Sequence, residues 1–126
     1  MKLKVIATDN APAAIGPYSQ AIQVGNLLYC SGQIALDPAS GEVVSGGVRE
    51  QAEQVMLNIA AVLTAAGTGF DNLVKTTIFL VDMKDFAVVN EVYGRSFPGR
   101  KPARSTVAVQ GLPRGVLLEI EVIASL

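Results

Sequence analysis

The 126 residues include no histidine, no tryptophan and a single cysteine. Without histidine the chain has no Ser-His-Asp or Cys-His nucleophile system and no histidine-containing metal site. One cysteine makes an intrachain disulfide impossible, which suits a reducing compartment. Charge is sparse as well: 17% of the residues are charged, 10 basic against 11 acidic, for a formal net charge of −1. Neutralising phosphates takes clustered cations, so this balance supplies no electrostatic reason to bind nucleic acid. No stretch approaches the roughly 20 apolar residues that span a bilayer. The first ten residues carry Lys2, Lys4 and Asp9 rather than an apolar signal core. A soluble cytoplasmic protein without a membrane partner is expected, with chemistry drawn from carboxylates, Arg, Lys, Tyr, hydroxyls, one thiol or the backbone.

What the chain does have is apolar surface, with half of its residues hydrophobic. Its length is close to the commonest domain size, so one domain over residues 1–126 is expected. A chain of this length buries about two-thirds of the surface it exposes when unfolded. Hydrophobicity beyond that need suggests a covered interface between subunits.

Lys2 to Ile6 alternates weakly and reads as a short edge strand. Ser19–Val24 and Leu27–Ile34 alternate on either side of Gly25-Asn26, a two-residue hairpin signal. Val48, Ala52, Val55, Ile59, Val62 and Ala66 recur at helical steps, and Gly67 falls where a C-terminal cap belongs. Lys75–Val81 is rich in β-branched and aromatic residues and reads as a buried strand. A second helix is expected from about Asp85 to Ser96, with Phe86, Val89, Tyr93 and Phe97 on one stripe. Strands at Arg104–Val109 and Val116–Ala124 follow. The order is an α+β plan: one sheet with two helices covering an apolar face.

The last two strands carry the chemistry. In Val116–Ala124 the even positions are uniformly apolar and belong under the helices, while Leu117, Glu119, Glu121 and Ile123 make a mixed face. If this strand pairs with Arg104–Val109 as a hairpin, Val109 opposite Val116 sets Thr106 across from Glu119, and a two-residue shift sets Arg104 there. On that expectation Arg104 and Thr106 share a face with both glutamates, as a ligand site or an oligomer contact. The fork of Arg104 suits a carboxylate, although salt bridges are commoner than sites and the residues alone favour an ordinary cross-strand ion pair with Glu119 or Glu121. Glu119 suits water activation, or solvent exposure, and the residues alone do not choose between the two glutamates. Tyr18, launched from Gly16-Pro17, offers a pocket wall or surface cover. Ser31-Gly32 offers a hydroxyl and close backbone approach, or marks a bulge. Asn90 is a helix-surface residue or an interface hydrogen-bonder. Cys30 reads as a buried, inert thiol, and Ser45-Gly46-Gly47 lacks phosphate-binding spacing.

Five blocks in collinear order are familiar: AAIGPYSQA at 13–21, YCSGQI at 29–34, KTTIFL at 75–80, VNEVY at 89–93, and PARS at 102–105 followed by LEIE at 118–121. Together they resemble the RidA (YjgF-type) reactive intermediate deaminase family over nearly the whole chain. The resemblance implies a chorismate-mutase-like α+β fold, with about six strands in one mixed sheet and two helices on one face. It implies a homotrimer around a central barrel, with ligand sites between subunits. The implied reaction is hydrolysis of 2-imino acids such as 2-iminobutanoate and 2-iminopropanoate, or their 2-aminoacrylate tautomer, to 2-keto acids and ammonia, without metal or cofactor. By the same resemblance Arg104 binds the substrate carboxylate, Glu119 activates water, and Tyr18, Ser31, Gly32, Asn90 and Thr106 line the pocket. Thr106 stands where many members have a cysteine. Two other readings remain: a non-catalytic binder of small carboxylates such as 2-ketobutyrate, and a ribonuclease, which the charge balance and missing histidines disfavour.

Overall fold

The computed structural model describes residues 2–126. Six strands form one mixed sheet, with two helices against one of its faces. The strands are β1 (Leu3–Ile6), β2 (Ala21–Val24), β3 (Leu27–Gln33), β4 (Leu73–Leu80), β5 (Ala103–Ala108) and β6 (Leu118–Ser125); the helices are α1 (Val48–Ala65) and α2 (Phe86–Gly94). The order of elements along the chain is the expected one. The second helix is shorter than its periodicity suggested: Met83–Asp85 winds as a tighter 3-10 turn ahead of it, and at the other end Arg95 and Ser96 form a turn before Pro98.

Local chemistry sets the boundaries. Gly25 takes φ 58° at the first central position of the β2–β3 turn, and Val24 pairs directly with Leu27. At the start of α1, Glu50 reaches back to accept the Gly47 N–H at 2.8 Å. At its end Gly67 adopts φ 80° while Thr68 N–H donates back to the Leu63 carbonyl, closing the helix.

The sheet runs β1-β2-β3-β6-β4-β5. Both β3 and β4 flank β6 in antiparallel pairing, whereas β4 and β5 are parallel. A parallel neighbour demands a crossover, and α2 supplies it between β4 and β5. The expected hairpin between the last two strands is therefore absent: β4 lies between them. The connection from Ala108 to Leu118 does not force sequential strands to pair when a helix crossover offers β5 a parallel partner instead.

This topology overturns the expectation about faces. Ile120 opposes Ile78, and Ile78 in turn is level with Thr106. Thr76, level with Arg104, opposes Val122. Arg104 and Thr106 thus share the helix-covered face with the even positions of β6. Glu119 and Glu121, opposite Phe79 and Thr77, point to the other face. The core between sheet and helices contains Leu28, Val55, Ile59, Leu63, Ile78, Leu80, Leu118 and Ile120, all essentially without exposure. The open face is also apolar. Val5, Ile22, Tyr29, Ile123, Phe79 and Val107 occupy it by register, and Val5 is 62% exposed. No helix is long and apolar enough to cross a membrane among the described residues.

Candidate functional site

Arg104 rises from the edge strand β5 toward α2. Its Nη1 donates to Asn90 Oδ1 at 2.6 Å, and its guanidinium carbon stands 5.2 Å from the Tyr93 ring centroid and 5.6 Å from that of Phe86. Phe86, Asn90 and Tyr93 are spaced i, i+4, i+7, so one stripe of α2 contacts the arginine. Arg104 makes no ion pair among the described residues, so the cross-strand salt bridge that its sequence position allowed does not form. It borders a cleft of about 470 Å³ with Asn90, Tyr93, Gly94, Phe97, Lys101 and Pro102. Thr106 lies two residues further on the same face, and its buried Oγ1 has no hydrogen-bond partner among the described residues.

Glu119 sits on the other side of the sheet. Its carboxylate packs against Gly32, where the β3–β6 ladder is interrupted between Cys30 and Gln33. A Cβ placed on Gly32 would overlap Glu119 Oε2 and lie 2.8 Å from its Cδ. Glycine is needed at this bulge so that the strand backbone and the carboxylate can share the space. Burial pushes the Glu119 carboxyl above the usual carboxylate range, and the negative charge of Glu121 pushes it the same way. A cleft of about 640 Å³ opens here, and Tyr18, Ser31, Gly32, Arg114, Glu119 and Glu121 are among its walls.

The loop before β2 carries Tyr18 to this cleft. Ser31 Oγ donates to the Ser19 carbonyl at 2.6 Å, and Ser31 N–H donates to Gln20 O at 2.9 Å. Gln20 is 4% exposed; its amide donates to the carbonyls of Thr8 and Pro12 and its Oε1 accepts from Thr8 N–H. A buried glutamine satisfied this fully fixes the loop's course. Tyr18 itself stays half exposed at the rim. Cys30 faces the covered side; burial pushes its thiol up to about 12, so it is protonated and inert at neutral pH.

Of the seven candidate residues, the structure brings Arg104, Asn90 and Thr106 to one face and Tyr18, Ser31, Gly32 and Glu119 to the other. The expectation that Arg104 and Glu119 face each other across one hairpin is incorrect for a single chain. Sequence reasoning also missed Gln20 and assigned Phe86 and Tyr93 to a core stripe. Their i, i+4, i+7 spacing with Asn90 was the available signal.

The sequence profile of the family described as endoribonuclease L-PSP matches residues 8–126. The chain belongs to this family. Among its relatives, the mouse protein named 2-iminobutanoate/2-iminopropanoate deaminase is 56% identical over 121 residues, which cover 96% of this chain and 90% of that one. Protein DfrA of Myxococcus xanthus is 58% identical over 126 residues, covering 98% of this chain and 96% of that protein. A solved structure from Yersinia pestis, described as a member of the Rid family, superposes with a TM-score of 0.97 at 51% identity and covers 99% of this chain and 100% of its own. The Rid resemblance read from five sequence blocks is thus supported across the whole described fold.

Proposed function

We propose that this protein is an imine deaminase that hydrolyses 2-imino acids to 2-keto acids and ammonia, in sites shared between the subunits of a homotrimer. The names of its mammalian relatives support the reaction class. The observation that carries the arrangement is the segregation of Arg104 and Glu119 to opposite faces of one sheet. A small imino acid cannot touch both through the sheet that separates them. Two chains solve this: one contributes Arg104, Asn90 and Thr106, and its neighbour contributes Tyr18, Ser31, Gly32 and Glu119. The exposed apolar residues of the open face supply a surface for such association.

The chemistry follows from the two halves. The substrate carboxylate takes the free donors of Arg104, because Asn90 already occupies Nη1. The unpartnered Thr106 hydroxyl adds a donor on the same side. Glu119 accepts a proton from water as its oxygen attacks C2 of the iminium, and the C=N π electrons pass to nitrogen. The resulting carbinolamine takes that proton on its amine. The C–N bond then breaks as the hydroxyl proton returns to Glu119, leaving the keto acid and ammonia, which carries the last proton away as ammonium. A carboxyl raised toward the working pH is better suited to this two-way traffic than an ordinary glutamate. Tyr18 walls the pocket, while Ser31 fixes its loop and Gly32 leaves room for the carboxylate.

The test generates the imine with an amino-acid dehydratase and follows keto acid formation. Arg104→Ala and Glu119→Gln are each expected to abolish the acceleration. Subunits of the two inactive variants, unfolded together and refolded as mixed oligomers, are expected to regain part of it, because some interfaces then combine two intact halves. No recovery in mixed oligomers of demonstrated composition would falsify the shared site. Sedimentation at the 13.2 kDa mass of one chain at micromolar concentration would do the same. Saturable binding of 2-ketobutyrate without faster hydrolysis would instead favour a carboxylate-binding regulator. The family description names an endoribonuclease, but a net charge of −1 and the absence of histidine argue against RNA cleavage here.

A further inference from the structure

Arg104 is held in an unusual way for a surface cation. Every other arginine of the described chain hydrogen-bonds or pairs with a carboxylate or a backbone carbonyl: Arg49 and Arg95 with glutamates, Arg100 with the carbonyls of Asp71 and Leu73, Arg114 with Gly41 O and Glu42. Arg104 has only a neutral amide and two aromatic rings. The Tyr93 ring is itself pinned. Its hydroxyl and that of Thr76 lie 2.7 Å apart in the core, Thr76 having no exposure, and the ring packs 4.8 Å from Phe97. Thr76 is also the residue level with Arg104 on the neighbouring strand. A side chain with several rotatable bonds is thereby fixed by contacts that leave its charge uncompensated.

We propose that Phe86 and Tyr93, the latter anchored by Thr76, are positioning residues that hold the Arg104 guanidinium flat and unpaired, so that it presents Nε and Nη2 to a substrate carboxylate. The inference rests on the reading that Arg104 is the carboxylate seat. An acidic partner would fix the arginine equally well, but it would compete with the ligand for the same donors. An aromatic face holds the cation without taking up a donor in the guanidinium plane, and it favours arginine over lysine, whose ammonium cannot stack. Asn90 then selects which edge is left free. The ligand class this preparation fits is a planar monoanion with two coplanar oxygens, bound through its carboxylate.

The experiment measures KM and kcat for the dehydratase-generated imine, and the calorimetric Kd of the stable keto acid 2-ketobutyrate. The variants are Phe86→Leu, Tyr93→Phe, Thr76→Val and Arg104→Lys. Phe86→Leu removes one ring at a site that is 37% exposed and outside the buried core. It is expected to weaken 2-ketobutyrate binding and raise KM about 3- to 10-fold, with a smaller change in kcat. Tyr93→Phe and Thr76→Val keep the ring but remove its hydroxyl anchor, so each is expected to weaken binding by a smaller factor, about 2- to 3-fold, and unchanged binding in both would remove Thr76 from the proposal. The decisive readout is coupling. In an Arg104→Lys background the effect of Phe86→Leu is expected to disappear, because the ring then has no guanidinium to hold. An equal effect in both backgrounds, or unchanged KM and Kd for Phe86→Leu, overturns the proposal. If Arg104→Ala also leaves 2-ketobutyrate binding intact, the failure lies with the carboxylate seat itself; if Arg104→Ala abolishes binding while Phe86→Leu does not, only the positioning role fails.

Discussion

The two faces of the sheet treat their charged residue in opposite ways. On the covered face the Arg104 guanidinium lies against two rings and an amide, all neutral, and it has no ion pair among the described residues. On the open face the Glu119 carboxylate is pressed against the backbone at Gly32 and stands near a like charge at Glu121. One environment keeps a charge fixed and available for an anion. The other makes a charge harder to hold, which raises the proton affinity of the carboxylate. Binding calls for the first, proton transfer for the second, and within one chain the sheet keeps the two apart.

Several substitutions sharpen or break this contrast. Glu119→Gln removes the proton acceptor and is expected to lower kcat by about 10²- to 10⁴-fold with little change in 2-ketobutyrate affinity. Arg104→Ala is expected to lower kcat/KM by at least about 100-fold, chiefly through KM, since two charge-assisted hydrogen bonds are lost. If the two variants gave the same split between kcat and KM, the division of labour between faces would be wrong. Gly32→Ala places a methyl where the Glu119 carboxylate lies, and a reduction in kcat of roughly 10-fold is expected, set by how far that side chain can shift.

The pH dependence supplies a subtler test. In the proposed mechanism Glu119 acts ionised, so activity should be lost as pH falls through its raised pKa, with the acid limb above the ordinary value of 4.5. Glu121→Gln removes one cause of the shift and should move that limb to lower pH. Stability has the opposite sign. A carboxyl whose folded pKa is raised disfavours the native state increasingly as pH rises from 4.5 through that pKa. Glu119→Gln should therefore raise Tm slightly at pH 7 and not at pH 4. The smallest expected effect concerns Cys30: with its thiol at about 12, iodoacetamide should leave the native protein essentially unlabelled at pH 8 while labelling it fully in denaturant.

Much of this was legible in the residues themselves. The Gly25-Asn26 turn, the stripe from Val48 to Ala66 and the β-branched run at Lys75 each declare local structure, because turn dihedrals and helical or strand periodicity act over a few neighbours. The candidate site residues were legible too, mainly through five collinear blocks and not through any one motif. The pairing of β5 was not. Whether it joined β6 or β4 depended on contacts across the sheet and on a crossover helix. The alternation of Arg104, Thr106 and Ala108 with Ser105 and Val107 is compatible with either face, since edge-strand residues on both sides are partly exposed. Phe86 and Tyr93 hid for a related reason: an aromatic stripe reads as core until the arginine beneath it is seen.

The sequence by itself determined which elements form and which chemistry is open to the chain, because helix and strand periodicity are local and the absence of histidine narrows the reactive groups, with Arg104 and Glu119 as candidates among them. Only the tertiary structure decided that Arg104 and Glu119 lie on opposite sides of one sheet. Inserting β4 between the last two strands lets the β4–β5 register, rather than a hairpin turn, fix the side on which Arg104 emerges, and no local pattern encodes that choice.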